Sequence, residues 1–424
     1  MKIKLLLPLF FVSLLSFAEQ PNLRPEKCGM VRYMDYLHSI DDSRAVQDQF
    51  DENLLQQALS NFSVSRISNL VYTIPVVVHV VYRTNAQNIS NAQIQAQIDV
   101  LNEDFGRTNL DSVNTPPGFT SVASSTNFQF CLAQQDPNGQ LTNGIDRRLT
   151  TLQSFQANDD VKSYATGGLD AWDVNKYLNI WVCNLSGGIL GYGELPSSVH
   201  TSTYGVVVAY DAFGKGGAAA SPYDLGRTCT HEISHCFRLY HVWGDDNGTC
   251  SGSDYVNDTP NQGDATFGCL TYPALDNCTA ISPGIMFMNY MDYSDDNCLN
   301  MFTKNQASRM FTAINSYYPT LLSSNRCSPP VTNVDETPAD FTFNIFPNPT
   351  SAIFLVNMTK TKDIGPTANF KISDSLGKII IDKQILHPSG FVHELDLSNL
   401  SSGVYSLTVY NENYSRTERI MLRK

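Results

Sequence analysis

Two histidines four residues apart, with a glutamate beside the first, constrain this chain more than any other feature. They lie in Thr228-Cys229-Thr230-His231-Glu232-Ile233-Ser234-His235-Cys236-Phe237-Arg238-Leu239-Tyr240-His241. On an α-helix, residues i and i+4 project from one face, so His231 and His235 can share one zinc ion if this stretch is helical. Ile233, Phe237 and Tyr240 are then available to pack the helix into a core. Glu232 stands beside the first ligand, where it can take a proton from metal-bound water. His241 follows His235 by six residues, about 9 Å along a straight helix. It reaches the same ion only if the chain turns sharply in between. Three histidines plus water, with the fourth position open, is a catalytic zinc pattern.

The rest of the chain supplies a fold for that helix. Thr73 to Tyr82 (TIPVVVHVVY) is a β-branched run that reads as a buried strand. Ser90 predicts a helix cap, with Gln93 three residues later in a capping box, and Ile94, Ile98, Leu101 and Phe105 follow at helical spacing. Further strands are expected at Tyr177 to Cys183 and Tyr204 to Tyr210. Strand, helix and strand in alternation point to an α/β or α+β domain. Residues 19 to 70 are polar and rather helical, chiefly Asp41 to Leu59, with one lone cysteine, Cys28. Residues 327 to 340 (CSPPVTNVDETPAD) read as a linker rich in Pro, Thr and acid. Beyond it, short alternating runs at Phe341 to Phe346, Ile353 to Val356, Lys371 to Ser373, Lys378 to Ile381, Val392 to Leu397 and Val404 to Tyr410 predict a small all-β sandwich over 341–424.

The first residues carry an export signal. Lys2 and Lys4 give a basic start, Leu5 to Phe17 an apolar core, and Ser16-Phe17-Ala18 a cleavage site after residue 18. No other stretch approaches the length of a membrane span, so no transmembrane segment is expected in the mature chain. Lys plus Arg is 28 against 41 for Asp plus Glu, a net charge of −13. That excludes a general nucleic-acid binder and a polybasic membrane-surface protein. Export permits disulfides. Cys250, Cys269, Cys278 and Cys298 cluster closely enough for two bridges. Cys229 and Cys236 sit seven apart on one helix, too far to bridge each other. The pairing of Cys131, Cys183, Cys229, Cys236 and Cys327 stays open.

HExxHxxxxxH with a later Asn289-Tyr290-Met291-Asp292-Tyr293 resembles the metzincin metalloproteases, and more closely the pappalysin family in its secreted bacterial form. The likeness extends from about residue 72 to 326. It takes in Phe130-Cys131-Leu132-Ala133, Asp136-Pro137, Gly139, Tyr177 to Cys183, Gly226-Arg227-Thr228, Asp258-Thr259-Pro260 and Met301-Phe302-Thr303. The resemblance implies an α+β metzincin-like catalytic domain over 71–326, with a mixed twisted sheet, a zinc helix and a loop-rich C-terminal subdomain. It implies that His231, His235 and His241 hold zinc and that Glu232 is the catalytic acid and base. Met291 would pack beneath the ligands without coordinating, and Tyr293 would hydrogen-bond the oxyanion. It also implies disulfides Cys250 to Cys278 and Cys269 to Cys298. Relatives bind calcium nearby, where Asp254, Asp258, Thr259 and Gln262 offer oxygen ligands. Asp295, Asp296 and Asn297 follow the methionine turn and would favour Arg or Lys after the cut if they line that pocket.

Two positions depart from the family, which usually has Gly where this chain has Ser234 and Arg238. Ser234 suits a helix. Arg238 stands where the family Gly takes positive φ, and a side chain there costs about 1 to 2 kcal/mol. Lys27-Cys28-Gly29 resembles the Arg-Cys-Gly of relatives whose prosegment cysteine fills the open zinc position. Residues 19–70 therefore read as a prosegment, cut near Arg66 to release activity. The tail (Phe346-Pro347-Asn348-Pro349-Thr350, Asp374, Gly377, Leu397 to Tyr405, Arg419 to Lys424) resembles the C-terminal sorting domain of type IX secretion, which implies a Bacteroidota source and the type IX machinery as a partner. The expected function is a secreted zinc endopeptidase acting on proteins or peptides and made as a latent zymogen. The alternative is a degenerate protease scaffold serving as a surface adhesin, favoured by Arg238.

Overall fold

The computed structural model describes residues 27–60, 71–246, 248–330, 341–360, 367–374, 377–386, 392–410 and 415–424. The export signal, the cut near Arg66 and residues 331–340 of the linker lie outside them. No helix among the described residues is long and apolar enough to cross a membrane. The chain divides into two compact units between residues 330 and 331.

The first unit begins with helices α1 (Met30–Ile40) and α2 (Ser43–Ser60). Strand β1 (Tyr72–Tyr82) is buried from Ile74 to Val81, as its continuous β-branched run predicts. Helix α3 (Asn91–Gly106) follows, buried along Ile94, Ile98, Leu101 and Phe105. Then come β2 (Ala123–Ser124), β3 (Phe128–Leu132), β4 (Ile145–Leu149), β5 (Leu178–Cys183), β6 (Gly191–Gly193), β7 (Gly205–Ala209), helix α4 (Arg227–Cys236), β8 (Phe302–Thr303) and helix α5 (Lys304–Tyr317). The main sheet runs β3-β1-β5-β7-β6, with β4 also pairing β1, and only β6 is antiparallel. This is the mixed, twisted sheet with a buried helix expected of the α+β domain. One expectation needs correction. Ser90 caps α3 by accepting from Gln93 N at 3.1 Å, but Gln93 does not reach back. Its amide donates to Phe213 O and accepts from Ala218 N, because it holds the loop leading to α4.

The glycines of edge strand β6 are there for close packing. A Cβ on Gly191 would come within 2.7 Å of Glu232 Cγ, and one on Gly193 within 2.5 Å of Glu232 O. The sheet edge thus lies directly on α4. At the start of α4, Arg227 donates to Asp111 and to Leu299 O, while Thr230 donates to Asp104 on α3. Disulfides join Cys131 to Cys327, Cys250 to Cys278 and Cys269 to Cys298. Cys28, Cys183, Cys229 and Cys236 are buried thiols.

The second unit is all β: β9 (Phe341–Phe346), β10 (Ile353–Lys360), β11 (Thr367–Asp374), β12 (Ile379–Leu386), β13 (Val392–Asp396), β14 (Gly403–Tyr410) and β15 (Ser415–Leu422). Two antiparallel sheets, β13-β10-β9 and β12-β11-β14-β15, share a core that includes Phe354, Val356, Phe370, Ile372, Leu407, Val409 and Ile420. Strand β15 is absent from the sequence reading. It is an edge strand whose Arg416, Glu418 and Arg419 mask its alternation, as charge on an edge often does.

Candidate metal centre

Helix α4 puts His231 and His235 on one face, and their Nε2 atoms lie 3.1 Å apart. The helix then stops abruptly. Arg238 N donates to His235 O and Leu239 N to Ser234 O, the paired bonds of a Schellman C-terminus. The residue that must take positive φ in that motif is Arg238, at φ 65°. The reversal delivers His241, whose ring stacks 5.2 Å from that of His231 and meets that of His235 edge-on at 4.7 Å. Ser234 stays helical, its hydroxyl donating to Thr230 O.

Each imidazole is aimed by a partner at its other nitrogen. His231 Nδ1 donates to Tyr290 O at 2.7 Å, His235 Nδ1 to Leu239 O at 2.8 Å, and His241 Nδ1 to Asp245 at 2.8 Å. That leaves the three Nε2 lone pairs turned inward. Burial holds the His231 pKa well below its ordinary value and that of His235 at about 3, so both are neutral and ready to ligate. Cys28 Sγ completes the cluster, and the four ligand atoms all lie within 4.8 Å of one another. Zinc bonds to nitrogen at about 2.0–2.1 Å and to sulfur at about 2.3 Å, so this spacing and donor set fit a single zinc ion.

Glu232 is buried beside the cluster. Cys28 Sγ donates to its Oε2 at 3.2 Å. Burial pushes the Glu232 carboxyl up to about 8, against the opposing effects of the Cys28 hydrogen bond and the Lys27 charge. Burial also raises the Cys28 thiol well above its usual range. A bound cation would reverse that preference, since a coordinating thiol is deprotonated. Tyr293 Oη lies 3.3 Å from His241 Nε2 and donates to Cys28 O. Met291 is buried in the main core, and its carbonyl accepts from Val242 N, next to the third histidine.

Cys28 is held as part of an added strand. Its neighbours donate from Gly29 N to Gly191 O at 2.7 Å and accept from Leu190 N at Lys27 O, along the open edge of β6. Lys27 is buried. Its Nζ donates to Ser294 O at 2.9 Å, lies 3.9 Å from Asp296 Oδ1 and sits over the Tyr223 ring. Asp296 Oδ2 accepts from Leu225 N and Arg227 N, which leaves Oδ1 facing Lys27. Asp295 lines a cavity of about 650 Å³ with Tyr223 and Phe267, while Asn297 is exposed.

The four oxygen-bearing residues read as calcium ligands do not converge. Asp254 accepts from Thr259 Oγ1 at 2.6 Å. Asp258 instead accepts from Thr303 and Asn305 at the start of α5, and Gln262 donates to Asp292. Asp245 was not singled out in the sequence, and neither was Trp243, which stacks on His241 at 4.3 Å. A carboxylate four residues after the third histidine was the available signal. Replacing Asp245 by alanine is expected to weaken zinc binding by roughly 10- to 100-fold, the usual effect of losing a partner to a ligating histidine. Titration with a competing chelator would measure it, and unchanged affinity would show that Asp245 does not orient His241.

Comparison with known proteins bears on both units. A family model described as pregnancy-associated plasma protein-A matches residues 158–315, and one described as a secretion system C-terminal sorting domain matches residues 344–423. An extracellular metalloprotease of Pyricularia oryzae is 34% identical over 244 residues, which span 56% of this chain and 73% of that protein. Among solved structures, Tannerella forsythia mature mirolysin in complex with a cleaved peptide is 49% identical, with a TM-score of 0.58, covering 61% of this chain and 99% of that one. A promirolysin mutant of the same organism is 45% identical, with a TM-score of 0.64, covering 70% of this chain and 95% of that one.

Proposed function

The chain belongs to the pappalysin family of zinc metalloproteases, and from that premise we propose that it is an endopeptidase made latent by its own residues 27–60 and selective for a basic residue after the cut. The observation that carries this reading is the convergence of three buried imidazoles, Cys28 and Glu232 at the open edge of β6. His231, His235 and His241 would hold zinc. When bound, zinc polarises the substrate carbonyl and lowers the pKa of water.

The protein's own groups do the rest. Glu232, buried beside the three imidazoles with Oε2 turned to Cys28 Sγ, is placed to take a proton at Oε2 and return it to the leaving amine. Tyr293 Oη, beside His241, is placed to donate to the developing oxyanion. Leu190 N and Gly191 O, which now bind Lys27 and Gly29, would bind the backbone of a substrate laid along β6. Cys28 in the cluster supports latency. Lys27 beside Asp296 supports a pocket for lysine or arginine. Asp296→Asn is expected to lower kcat/KM for peptides with Lys or Arg after the cut by roughly tenfold or more relative to apolar ones, since a charged partner contributes at least 1.4 kcal/mol when buried. An unchanged ratio would remove Asp296 from the pocket.

Secretion or surface attachment follows from the sorting domain. We place the source among the Bacteroidota, with residues 1–18 as export signal, 19–70 as prosegment, 71–326 as catalytic domain, 327–340 as linker and 341–424 as the sorting domain read by type IX machinery. Calcium is proposed for the Asp254–Thr259 turn. The support is the buried Asp254 carboxylate, which accepts from Thr259 Oγ1 at 2.6 Å and from Val256 N within that turn. A calcium-selective chelator should then lower Tm while zinc stays bound, and no shift would dismiss the site. The deciding experiment for the whole reading is zinc content and casein cleavage on one purified sample with residues 19–70 removed. One zinc per chain with cleavage is the expected result. Zinc without cleavage, or no zinc, would overturn it.

A further inference from the structure

Away from the metal cluster, helix α2 drives two adjacent acids into the protease unit. Asp51 is fully buried. Its carboxylate accepts from Ser197 Oγ at 2.7 Å, from Ser198 Oγ at 2.6 Å and from Ser198 N. Glu52 is 3% exposed. It accepts from Arg238 Nε at 3.1 Å and takes both terminal nitrogens of Arg309, at 2.9 and 2.7 Å. Gln56 Nε2 at 2.8 Å and Tyr240 Oη at 3.3 Å donate to it as well. Both arginines are buried, at 0% and 1% exposure, and Glu52 is their only carboxylate within ion-pair distance among the described residues. Two cations are not kept out of water without an anion to meet them, and a bidentate guanidinium is shaped for a carboxylate.

We propose that Arg238, Arg309, Ser197 and Ser198 form a carboxylate-binding exosite on the protease unit, selective for an adjacent Asp–Glu pair presented by a helix, with Asp51 and Glu52 as its resident ligand. The proposal rests on the reading of residues 27–60 as a removable segment. The site holds that segment without help from the metal, so the segment stays docked after the chain between Ser60 and Val71 is cut. It also accounts for Arg238. A side chain at φ 65° is retained because its guanidinium is a wall of the site, donating to Glu52, Pro196 O and Asp48 O. Arg309 Nε donates in turn to Arg238 O, so the same pair braces the reversal that brings His241 to the cluster.

The test uses the full chain with a specific protease site inserted between Ser60 and Val71 and with Cys28→Ala and Glu232→Ala, so that neither metal binding nor self-cleavage interferes. After cutting, gel filtration reads how much N-terminal fragment co-elutes with the remainder. Retention is expected in this background and at least a tenfold weaker association on adding Glu52→Gln. Arg238→Gly is the second variant. It relieves the positive φ and so favours folding, yet it should also release the fragment. A synthetic peptide of residues 41–60 should displace the fragment, and its Glu52→Gln version should not. Equal retention in all variants, or equal competition by both peptides, would overturn the exosite. The readout needs no peptidase activity, so its failure leaves the proposed function standing, and an inactive enzyme that still retains its fragment would leave the exosite standing.

Discussion

Glu232→Ala should leave one zinc bound per chain and lower peptide cleavage by roughly 10²- to 10⁴-fold, the range that a positioned general base supplies. The side chain sits between two ligands without being one of them. His231, His235 and His241 make the nitrogen set, and the hydrogen bonds that orient them run to Tyr290, Leu239 and Asp245. Removing Glu232 touches none of those bonds. What it removes is the carboxylate on the cluster side of α4, for which β6 leaves room by having glycine at 191. In the closed chain burial raises its pKa to about 8, and the positive charge of a bound zinc beside it would favour the carboxylate that accepts a proton. Zinc content by atomic absorption and kcat/KM on one peptide, for both proteins, decide the matter. A variant that keeps zinc and cleaves at the parent rate would remove Glu232 from the chemistry. A variant that loses zinc would show a structural role instead.

The parts of the site legible in the sequence are those whose chemistry repeats along one element. His231 and His235 read out because a helix imposes i, i+4 spacing on two donors, whereas His241 read out only through the family pattern, since a straight helix would have carried it away. The strand Tyr72–Tyr82 read out from its continuous β-branched run and the buried face of α3 from its helical spacing. The parts that did not read out join residues far apart in sequence. Glu52 meets Arg309 across 257 positions, and Lys27 reaches Ser294 across 267. No periodicity links such pairs, and an Asp-Glu on a polar helix looks like a solvated face until its partners are in place. Asp245 offered only its spacing of four residues from His241, a faint signal for a single acid in a loop. Gln93 fitted a capping box, but a buried amide with two loop partners had better bonds to make than the helix end offered.

Cys28→Ala in the uncut chain should raise peptidase activity by roughly tenfold or more, because losing even 1.4 kcal/mol of segment binding shifts the docked population by that factor. It should not reach the activity of the fully processed enzyme. The thiol is one of several contacts that hold residues 27–29 over the cluster. Gly29 N and Lys27 O would still pair with Gly191 and Leu190, Lys27 would still lie between Ser294 O and Asp296, and α2 would still be fixed by Asp51 and Glu52. Those contacts are neutral hydrogen bonds of about 1 kcal/mol net apiece and charged ones of about 1.5 to 3, so together they outweigh the deficit left by one missing ligand atom. The thiol would contribute what they cannot, a sulfur donor beside the three imidazoles at the proposed zinc position. Initial rates on a short fluorogenic peptide would separate the two effects if measured before any cleavage between residues 60 and 71 is detectable by mass spectrometry. Activity equal to that of the wild-type uncut chain would show that Cys28 has no part in latency. Activity equal to that of the processed enzyme would show that it carries latency alone and that the contacts along β6 and α2 hold nothing shut.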